Sequence, residues 1–284
     1  MSLTDFLIYY TIGKGAFGKV YLAQLPDDDQ LYAIKVIRKD KILKKKLVSS
    51  TELERDILLE ADHPFLCGMK YLFQSAVRLY FVMYFIGGDE LSNLVKNKGG
   101  RMIEADVNFY ITQIVVGLGV LHKKGIVHRD IKLENIMVDC NGYVKIIDFG
   151  LAKKLTENTE AKTLCGTVEY FAPEMIGREG YDRSVDWWAV GIMIYKMLFG
   201  RSPFFNKNRQ IMEGAIRVKE VKFPNKEKYN IDYSDEVVDL IKKLLIKDKD
   251  QRLGSQGDAN EILDHPWFAD IDIGALERFE IEAP

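Results

Sequence analysis

The hydrophobic pattern of the chain changes near residue 85, and this change restricts the fold more than any other feature. Before it, only residues 40–61 carry apolar side chains at helical spacing, among them Leu43, Leu47, Ile57 and Leu58. Five other segments are rich in Ile, Val, Tyr, Leu and Phe, as strands are: 6–13, 19–25, 31–37, 68–74 and 79–85. We therefore predict a five-stranded sheet with one main helix in this part of the chain.

The second part of the chain is dominated by helical patterns. After Gly87 and Gly88, apolar residues recur at helical spacing over 107–123 and 184–199, while residues 234–246 open with a serine cap and an acidic first turn. We predict an α+β fold of two lobes. The first lobe covers about 6–85, the hinge 84–88, and the larger, mostly α-helical lobe about 89–268.

Composition excludes several classes of protein. A chain of 284 residues that is 47% hydrophobic and 29% charged is globular rather than disordered. Its 40 Lys and Arg against 42 Asp and Glu give a net charge of −2, which argues against a nucleic-acid or membrane-surface partner. The longest run free of charged residues, 107–122, is too short and too polar to span a membrane. We expect a monomer.

The cysteines and the start of the chain bear on its compartment. Cys67, Cys140 and Cys165 are far apart and match neither a disulfide framework nor a zinc site. The first residues do not resemble a signal peptide. We expect free thiols, a reducing compartment and a cytoplasmic location, with access to the nucleus left open.

A glycine-rich segment joins the first two predicted strands. Gly13, Gly15 and Gly18, followed by Val20, form the pattern G-x-G-x-x-G-x-V. Glycines let the backbone approach phosphate oxygens and offer them N–H donors. Alone, the segment is weak evidence, and a glycine-rich hairpin turn is the more common interpretation of such a pattern. A dinucleotide-binding fold is disfavoured, because a strand follows where that fold requires a helix.

Lys35 lies in the middle of an apolar predicted strand, Tyr32-Ala33-Ile34-Lys35-Val36-Ile37. A buried lysine needs a carboxylate partner, whereas a lysine on an exposed strand face does not. Glu52 and Glu54 on the following helix are both candidates for that partner.

The most specific pattern is Val127-His128-Arg129-Asp130-Ile131-Lys132-Leu133-Glu134-Asn135. Asp148-Phe149-Gly150 follows 13 residues after Asn135, and Ala172-Pro173-Glu174 follows 24 residues after Asp148. Asp130, Lys132 and Asn135 can place a proton acceptor, a phosphate-neutralising cation and a metal ligand around one point, and Asp148 adds a carboxylate suited to Mg²⁺. Each piece alone could be a solvated charge or an ordinary turn, but the ordered set is specific.

Taken together, these residues resemble the catalytic domain of eukaryotic protein kinases over about 6–268, nearly the whole chain. Three further segments are similar to the AGC group of Ser/Thr kinases, which includes the cyclic-nucleotide-dependent, Akt-like and ribosomal-S6-type enzymes. These segments are Thr163-Leu164-Cys165-Gly166-Thr167-Val168-Glu169-Tyr170, His63-Pro64-Phe65-Leu66 and Gln251-Arg252-Leu253-Gly254. The resemblance implies a small antiparallel β-sheet lobe and ATP-dependent phosphorylation of protein Ser/Thr hydroxyls.

The resemblance also implies an ATP site between the lobes. Lys35, held by Glu54, would bind the α and β phosphates, and Met83 would be the gatekeeper. Adenine would lie between Ile12, Val20 and Ala33 on one side and Met137 on the other, with hinge hydrogen bonds from Tyr84 and Ile86. The full set of implied ATP-binding residues is Ile12, Gly13, Lys14, Gly15, Ala16, Phe17, Gly18, Lys19, Val20, Ala33, Lys35, Met83, Tyr84, Ile86, Glu90, Met137 and Asp148.

The implied catalytic residues follow from the same family. Asp130 would orient the substrate hydroxyl and accept its proton, with Lys132 near the γ-phosphate. Asn135 and Asp148 would hold Mg²⁺. Structural support is implied from Asp186, which would hold the backbone of the catalytic loop, and from an ion pair between Arg252 and Glu174.

Substrate choice and regulation are implied by four positions. Glu90 and Glu134 would favour substrates with Arg or Lys N-terminal to the acceptor, although each carboxylate could instead contact only ribose or solvent. Thr167, with Lys132, indicates Ser/Thr acceptors. Thr163 matches an activation-loop threonine that an upstream kinase, or the chain itself, would phosphorylate, and that phosphate could pair with Arg129.

Several positions depart from the family pattern. Tyr84 replaces an acidic hinge residue, Leu133 and Val168 stand where proline is common, and Ser50 replaces a histidine that binds the loop phosphate in several AGC kinases. Residues 269–284 resemble the start of a truncated AGC-type C-terminal extension without its F-x-x-F motif. An excised domain and different regulation are both compatible with this. The alternative function is a catalytically inactive, nucleotide-binding scaffold.

Overall fold

The computed structural model describes residues 1–14, 18–156 and 159–284. Its first lobe is an antiparallel five-stranded sheet with the strand order β1-β2-β3-β5-β4. The strands are β1 Leu7–Lys14, β2 Gly18–Gln24, β3 Leu31–Arg38, β4 Met69–Gln74 and β5 Arg78–Tyr84. Two helices, α1 Lys39–Lys44 and α2 Val48–Glu60, connect β3 to β4. The predicted two-lobed α+β architecture is confirmed.

Strand β3 shows how the sheet acquires two different faces. Tyr32, Ile34 and Val36 are buried in a small core that also contains Phe6, Ala23, Tyr80 and Val82. Ala33 and Lys35 alternate with them and are only half-buried. Because successive side chains of a strand point to opposite faces, Ala33 and Lys35 lie on the face that is turned away from this core.

The prediction of one continuous helix over 40–61 is wrong. The first helix ends at Lys44, the chain turns, and a second helix begins at Val48. Lys46 has a left-handed φ of 55°, and the Leu47 N–H donates to the Ile42 carbonyl at 3.0 Å. This is the hydrogen-bond pattern of a helix end, here without the glycine that usually marks it.

The second lobe is mostly helical, with three small strand pairings. Its helices are α3 Leu91–Asn97, α4 Glu104–Lys123, α5 Pro173–Gly177, α6 Ser184–Phe199, α7 Arg209–Val218, α8 Lys226–Tyr229, α9 Asp235–Leu244, α10 Asp258–Leu263 and α11 Ile273–Glu277. Its strands are β6 Gly88–Glu90, β7 Ile126–Val127, β8 Ile136–Asp139, β9 Val144–Ile146 and β10 Lys153–Lys154. Short 3-10 helices cover Leu3–Asp5, Leu133–Asn135, Val168–Tyr170 and Pro266–Phe268.

Helix α6 is the centre of this lobe and has the predicted bounds. Trp187 and Trp188 are fully buried in it, and Gly200, with a φ of 74°, ends it in a left-handed conformation. Helix α9 begins after Ser234, whose Oγ accepts a hydrogen bond from the Val237 N–H at 3.1 Å, as the serine cap predicts. Within the described ranges, none of the helices is both long enough and apolar enough to cross a membrane.

The small strands place one loop at the boundary between the lobes. Strand β7 pairs with β10, and β8 pairs with both β6 and β9. The segment 128–135 therefore runs between two anchored strands. Residues near the C-terminus close the back of this region, since the Phe279 ring packs edge-on against Tyr143 at 4.8 Å and Leu276 is fully buried.

Candidate active site

Lys35 reaches across the cleft to carboxylates from both lobes. Its Nζ lies 2.6 Å from Glu54 Oε1 on α2 and 3.3 Å from Asp148 Oδ1. Of the two candidate partners, the structure brings Glu54 to Lys35 and leaves Glu52 exposed. Burial alone would lower the pKa of Lys35, but the carboxylates of Glu54 and Asp148 raise it. Lys35 is therefore a fixed cation.

Two glycines of the glycine-rich segment lie on strands, Gly13 on β1 and Gly18 on β2. Gly15, Ala16 and Phe17 fall outside the described residues. Gly18 has no room for a side chain, because a Cβ there would lie 1.6 Å from the Val36 carbonyl oxygen. Lys14 and Lys19 face each other in the register of β1 and β2, and both are exposed.

The predicted adenine-binding residues lie around the same face of the sheet. Val20 pairs with Lys35, and Ala33 pairs with Met83, in the antiparallel registers of β2, β3 and β5. Directly opposed side chains share a face, so Val20, Ala33 and Met83 lie on the side of Lys35. The exposed Ile12 lies on β1.

The remaining predicted ATP-binding residues lie at the connection between the lobes and on the strands that follow it. Tyr84 ends β5, and the half-buried Ile86 follows it. Glu90 of β6 pairs with Met137 of β8, so both lie at one edge of the second lobe. The Ser92 hydroxyl donates to Glu90 Oε2 at 3.0 Å.

Asp130 is the centre of a compact polar cluster in the segment between β7 and β8. Its Oδ2 lies 2.8 Å from Lys132 Nζ, and its Oδ1 accepts a hydrogen bond from the Thr167 hydroxyl at 3.0 Å. Lys132 Nζ also donates to Thr167 Oγ1 at 3.0 Å. The Asn135 amide donates to the Asp130 backbone carbonyl at 2.8 Å. The structure thus joins four predicted site residues around one carboxylate.

This cluster is held from below by helix α6. Asp186 accepts hydrogen bonds from the backbone N–H groups of His128, at 2.8 Å, and Arg129, at 2.9 Å. These contacts fix the loop where Arg129 has a left-handed φ of 68°. His122 Nε2 lies 2.9 Å from Asp186 Oδ2, and its Nδ1 lies 2.8 Å from Asp258 Oδ1.

Electrostatics explain why these buried groups are tolerated. Burial lowers the pKa of His122, but hydrogen bonds and charges from Asp186 and Asp258 together raise it to about 9. Burial raises the pKa of Asp186, but His122 and then His128 lower it. The charged imidazolium therefore compensates the buried carboxylate that supports the loop.

Asp148 and Asn135 have the donor chemistry that Mg²⁺ prefers. Burial raises the pKa of Asp148, but Lys35 and then His128 lower it, which keeps the group a carboxylate. The Asn135 amide nitrogen is used by Asp130, which leaves its side-chain oxygen as a further hard donor. Among the residues that the structure describes, no group of three or more His, Cys, Asp or Glu side chains is arranged to hold a metal ion.

The predicted regulatory and substrate positions are also at this edge. The Tyr181 hydroxyl donates to the Thr163 carbonyl at 2.7 Å, and Arg129 Nη1 donates to that hydroxyl at 3.1 Å. The Arg129 guanidinium therefore lies one side chain away from Thr163, which is exposed. Glu134 is exposed as well, four residues after Asp130.

His122 and Tyr181 belong to the site's support, but they were not among the residues predicted from sequence. A histidine in an apolar helix and a tyrosine in a loop carry no spacing that identifies their partners. The only local signal is the position of His122 on the same chain segment, six residues before His128. Its two aspartate partners come from α6 and α10, far away in the sequence.

Comparisons with known proteins agree with this geometry. The family model described as "Protein kinase domain" matches residues 6–268. The chain is 42% identical to the serine/threonine-protein kinase AtPK2/AtPK19 of Arabidopsis thaliana over 99% of this chain and 58% of that protein. It is 41% identical to Protein kinase 2 of Dictyostelium discoideum (98% of this chain, 56% of that protein) and to the serine/threonine-protein kinase akt-1 of Caenorhabditis elegans (100% and 52%).

The chain spans between half and three fifths of the length of these relatives. The match to the family model covers well over half of the chain, which is sufficient to assign the family. The relatives also confirm the resemblance to the AGC group. The chain belongs to the protein kinase family, among its AGC-type serine/threonine kinase domains.

Proposed function

We propose that the chain transfers the γ-phosphate of ATP to Ser and Thr hydroxyls of protein substrates. The observation that carries the proposal is the arrangement around Asp130, where a carboxylate, the Lys132 ammonium and the Thr167 hydroxyl meet within hydrogen-bond distance. Across the cleft, Lys35 is held by Glu54 and Asp148. A nucleotide-binding module without transfer would not need this arrangement of Asp130 and Lys132.

Asp130 orients the acceptor hydroxyl and takes its proton in this account. Its Oδ1 accepts a hydrogen bond from the Thr167 hydroxyl, which shows that it can accept one from a hydroxyl at this place. Lys132 Nζ, 2.8 Å away, can move onto the γ-phosphate and offset its charge during transfer. A positioned base contributes about 10²–10⁴-fold to the rate.

Lys35 binds the α and β phosphates, and the glycine-rich segment covers them. Glu54 keeps the Lys35 ammonium in place, so the cation is present before ATP arrives. Adenine packs against Val20, Ala33 and Met137, with Ile12 above. The hinge backbone at Tyr84 and Ile86 makes its hydrogen bonds, and Met83 limits the depth of the pocket.

Asp148 and Asn135 are the residues that would hold Mg²⁺. An ion held by these two residues would supply positive charge that offsets the charge of the phosphates. The lowered pKa of Asp148 supports this role, since a metal ligand must be ionised. The left-handed φ of Asp148, 60°, and the full burial of Phe149 against His128 fix the direction of the carboxylate.

The substrates we propose are proteins with Arg or Lys N-terminal to the acceptor. Glu90 and Glu134 supply carboxylates at the edge of the cleft, and arginine binds carboxylates with two parallel hydrogen bonds. Thr167, in contact with Lys132, sits where a Ser or Thr acceptor must approach. The three free cysteines support a reducing, cytoplasmic setting.

The test is phosphate transfer from radiolabelled ATP with Mg²⁺ to a serine peptide that carries arginine before the acceptor. A matched peptide with alanine instead of arginine measures the basic preference, and phosphoamino-acid analysis identifies the acceptor. Transfer to serine that is faster with arginine supports the proposal. Nucleotide binding without transfer to any peptide in a varied panel would favour the inactive scaffold instead.

Activation by phosphorylation of Thr163 is part of the proposal. A phosphate on Thr163 can pair with the Arg129 guanidinium, which already contacts Thr163 through Tyr181. Arg129 is adjacent to Asp130, so this pairing would order the catalytic loop and the loop that carries Thr163 together. An upstream kinase or the chain itself would add the phosphate.

We expect Thr163→Ala to lower transfer about tenfold or more, since a charge-assisted contact is worth about 1.5–3 kcal/mol. Phosphatase treatment of the unmodified protein should produce the same loss. Mass spectrometry must first confirm that Thr163 carries phosphate in the active sample. Full activity of the Thr163→Ala protein would show that the phosphate is not needed.

A further inference from the structure

Lys196 is the one lysine or arginine of helix α6, whose other residues are nearly all buried. Helix α6 buries each residue from Ser184 to Tyr195, and Lys196 is the first that reaches solvent. Its Nζ lies 3.3 Å from Glu169 Oε1 and 5.3 Å from the centroid of the Tyr170 ring. A lysine here is not required by packing, so its partners indicate its role.

Those partners lie next to the acceptor site. Glu169 and Tyr170 belong to the 3-10 helix Val168–Tyr170, which directly follows Thr167. Thr167 donates its hydroxyl hydrogen bond to Asp130 at 3.0 Å. Lys196 therefore contacts the two residues that come second and third after Thr167, the residue whose hydroxyl binds the proposed catalytic carboxylate.

Tyr170 is buried beside this ion pair. The residue is 5% exposed, and its hydroxyl is buried without a hydrogen bond of good geometry to any described residue. Burial, and then the carboxylates of Glu134 and Glu169, raise the pKa of Tyr170, so the phenol keeps its proton. Because the phenol is shielded from solvent, the groups that a substrate side chain can meet here are Lys196, Glu169 and the exposed Glu134.

The carboxylates around Tyr170 are not equivalent. Glu169 is paired with Lys196, and both side chains are 22% exposed, so water screens this pair less than a surface ion pair. Glu134 is exposed and makes no ion pair with the described residues. A substrate cation arriving here finds one available carboxylate, and the Lys196 ammonium repels a second cation.

We infer that Lys196 is a specificity-determining residue that restricts this part of the substrate cleft to a single basic side chain. The inference rests on the proposed kinase function and narrows its substrate class to Ser/Thr proteins with one arginine or lysine near Tyr170. A second adjacent arginine gains little, because Lys196 occupies the carboxylate of Glu169 that would otherwise bind it.

The experiment compares the benefit of a second arginine in different variants. The reference is a serine peptide with one arginine before the acceptor, and six further peptides add a second arginine at each preceding position in turn. The benefit is the ratio of kcat/KM values for the two-arginine and the one-arginine peptide. Lys196→Met removes the charge and keeps the length of the side chain, whereas Lys196→Arg keeps the charge.

We expect Lys196→Met to raise this benefit about fivefold or more at one or more positions, the effect of about 1 kcal/mol. Lys196→Arg keeps the positive charge, so the benefit of a second arginine should stay within about twofold of its value in the unmodified protein. In the double variant with Lys196→Met and Glu169→Gln, the benefit should return to the original value, because no carboxylate is released. Thermal melting verifies that each variant is folded.

The outcomes separate this inference from the proposed function. If the unmodified protein phosphorylates the peptides but Lys196→Met leaves all ratios unchanged, the inference is wrong and the kinase function stands. If the benefit of a second arginine rises equally in Lys196→Met and in the double variant, Glu169 is not the carboxylate that Lys196 occupies, and the inference is also wrong. If no peptide is phosphorylated, the proposed function fails, and peptide affinities from fluorescence anisotropy still test Lys196 by the same ratios.

Discussion

The Lys35 ammonium lies between two carboxylates that come from different lobes, and its position depends on both. Glu54 is 5% exposed and approaches from α2, while Asp148 approaches from the segment after β9. A cation in this place costs little, because the carboxylates offset the penalty of its burial. The ion pair therefore also reports the position of α2 relative to the second lobe.

At this residue scale we expect Glu54→Gln to reduce phosphate transfer about tenfold or more, since a hydrogen bond to a charged group is worth about 1.5–3 kcal/mol. Lys35 would remain attached to Asp148 alone and would lose its place over the phosphates. Steady-state kinetics with varied ATP measure the change. Glu52→Gln, on the exposed side of the same helix, is the control and should have little effect. Equal losses in the two variants would contradict a specific role of Glu54.

The choice between Glu52 and Glu54 shows what residue spacing can and cannot decide. Side chains two positions apart on a helix point to nearly opposite faces, so only one of these two glutamates can face β3. Glu54 precedes Ile57 and Leu58 by three and four residues, which places it on their apolar face. That spacing favours burial of Glu54, but the identity of its partner depends on how the helix packs against the sheet.

At the scale of elements, Asp186 and His122 connect α6, α4 and α10 to the backbone of the catalytic loop. Because the pKa of His122 is raised from 6.5 to about 9, its charge stabilises the folded state fully below about pH 6.5. This contribution is lost as the pH rises through about 9. The Trp187 ring packs edge-on against the imidazole, and Arg183 Nε lies 3.5 Å from the Asp258 carboxylate.

We therefore expect the free energy of unfolding to fall on His122→Gln by several kcal/mol near pH 6 and by much less near pH 9.5. The difference is on the order of 3 kcal/mol, from a pKa rise of about two and a half units. Urea unfolding of both proteins at the two pH values measures it. A loss of equal size at both pH values would mean that His122 acts only by packing.

A second connection between elements is the pair of Arg252 and Glu174. Arg252 is fully buried, and its Nη1 and Nη2 lie 2.6 Å and 2.9 Å from the two oxygens of Glu174 on α5. The Ser184 carbonyl accepts a further hydrogen bond from Nη1 at 3.0 Å. The pair therefore ties the start of α6 to α5 and to the segment after α9.

Glu174→Gln should lower the free energy of unfolding by about 3–5 kcal/mol, because it leaves a buried guanidinium without its counter-charge. The exposed pair of Arg278 and Glu280 is the matched control, with side chains 61% and 55% exposed. Glu280→Gln should have little effect on the free energy of unfolding, because water screens an exposed ion pair. Urea unfolding compares the two variants, and similar small losses would show that the buried pair contributes little.

At the scale of the whole molecule, the architecture follows from the hydrophobic pattern, and several boundaries follow from local signals. Helix α6 has its predicted ends because Gly200 permits the left-handed conformation that closes it. The turn between α1 and α2 was not predictable in this way, since Lys46 adopts that conformation without being glycine. The short strands from Gly88 to Lys154 also escaped prediction, because each is stabilised by pairing with a distant segment.

The parts of the candidate site that lie on one short segment could be predicted from the sequence. Contacts between residues that are far apart in the sequence could not. Asp130, Lys132 and Asn135 share a loop, so their proximity follows from spacing. The contact of Lys196 with Glu169 joins segments 27 residues apart and depends on how the 3-10 helix packs on α6. Such contacts require the folded chain.

The measurement that tests the central claim most directly is the rate of phosphate transfer by Asp130→Asn, together with its affinity for ATP. Asparagine preserves the size of the side chain but cannot take a proton from the acceptor. We predict that transfer falls about 10²–10⁴-fold. Because Asp130 acts on the acceptor and Lys35 on the nucleotide, the dissociation constant for ATP should change by less than about threefold, under 1 kcal/mol. Transfer by Asp130→Asn at the rate of the unmodified protein would contradict the role assigned to Asp130.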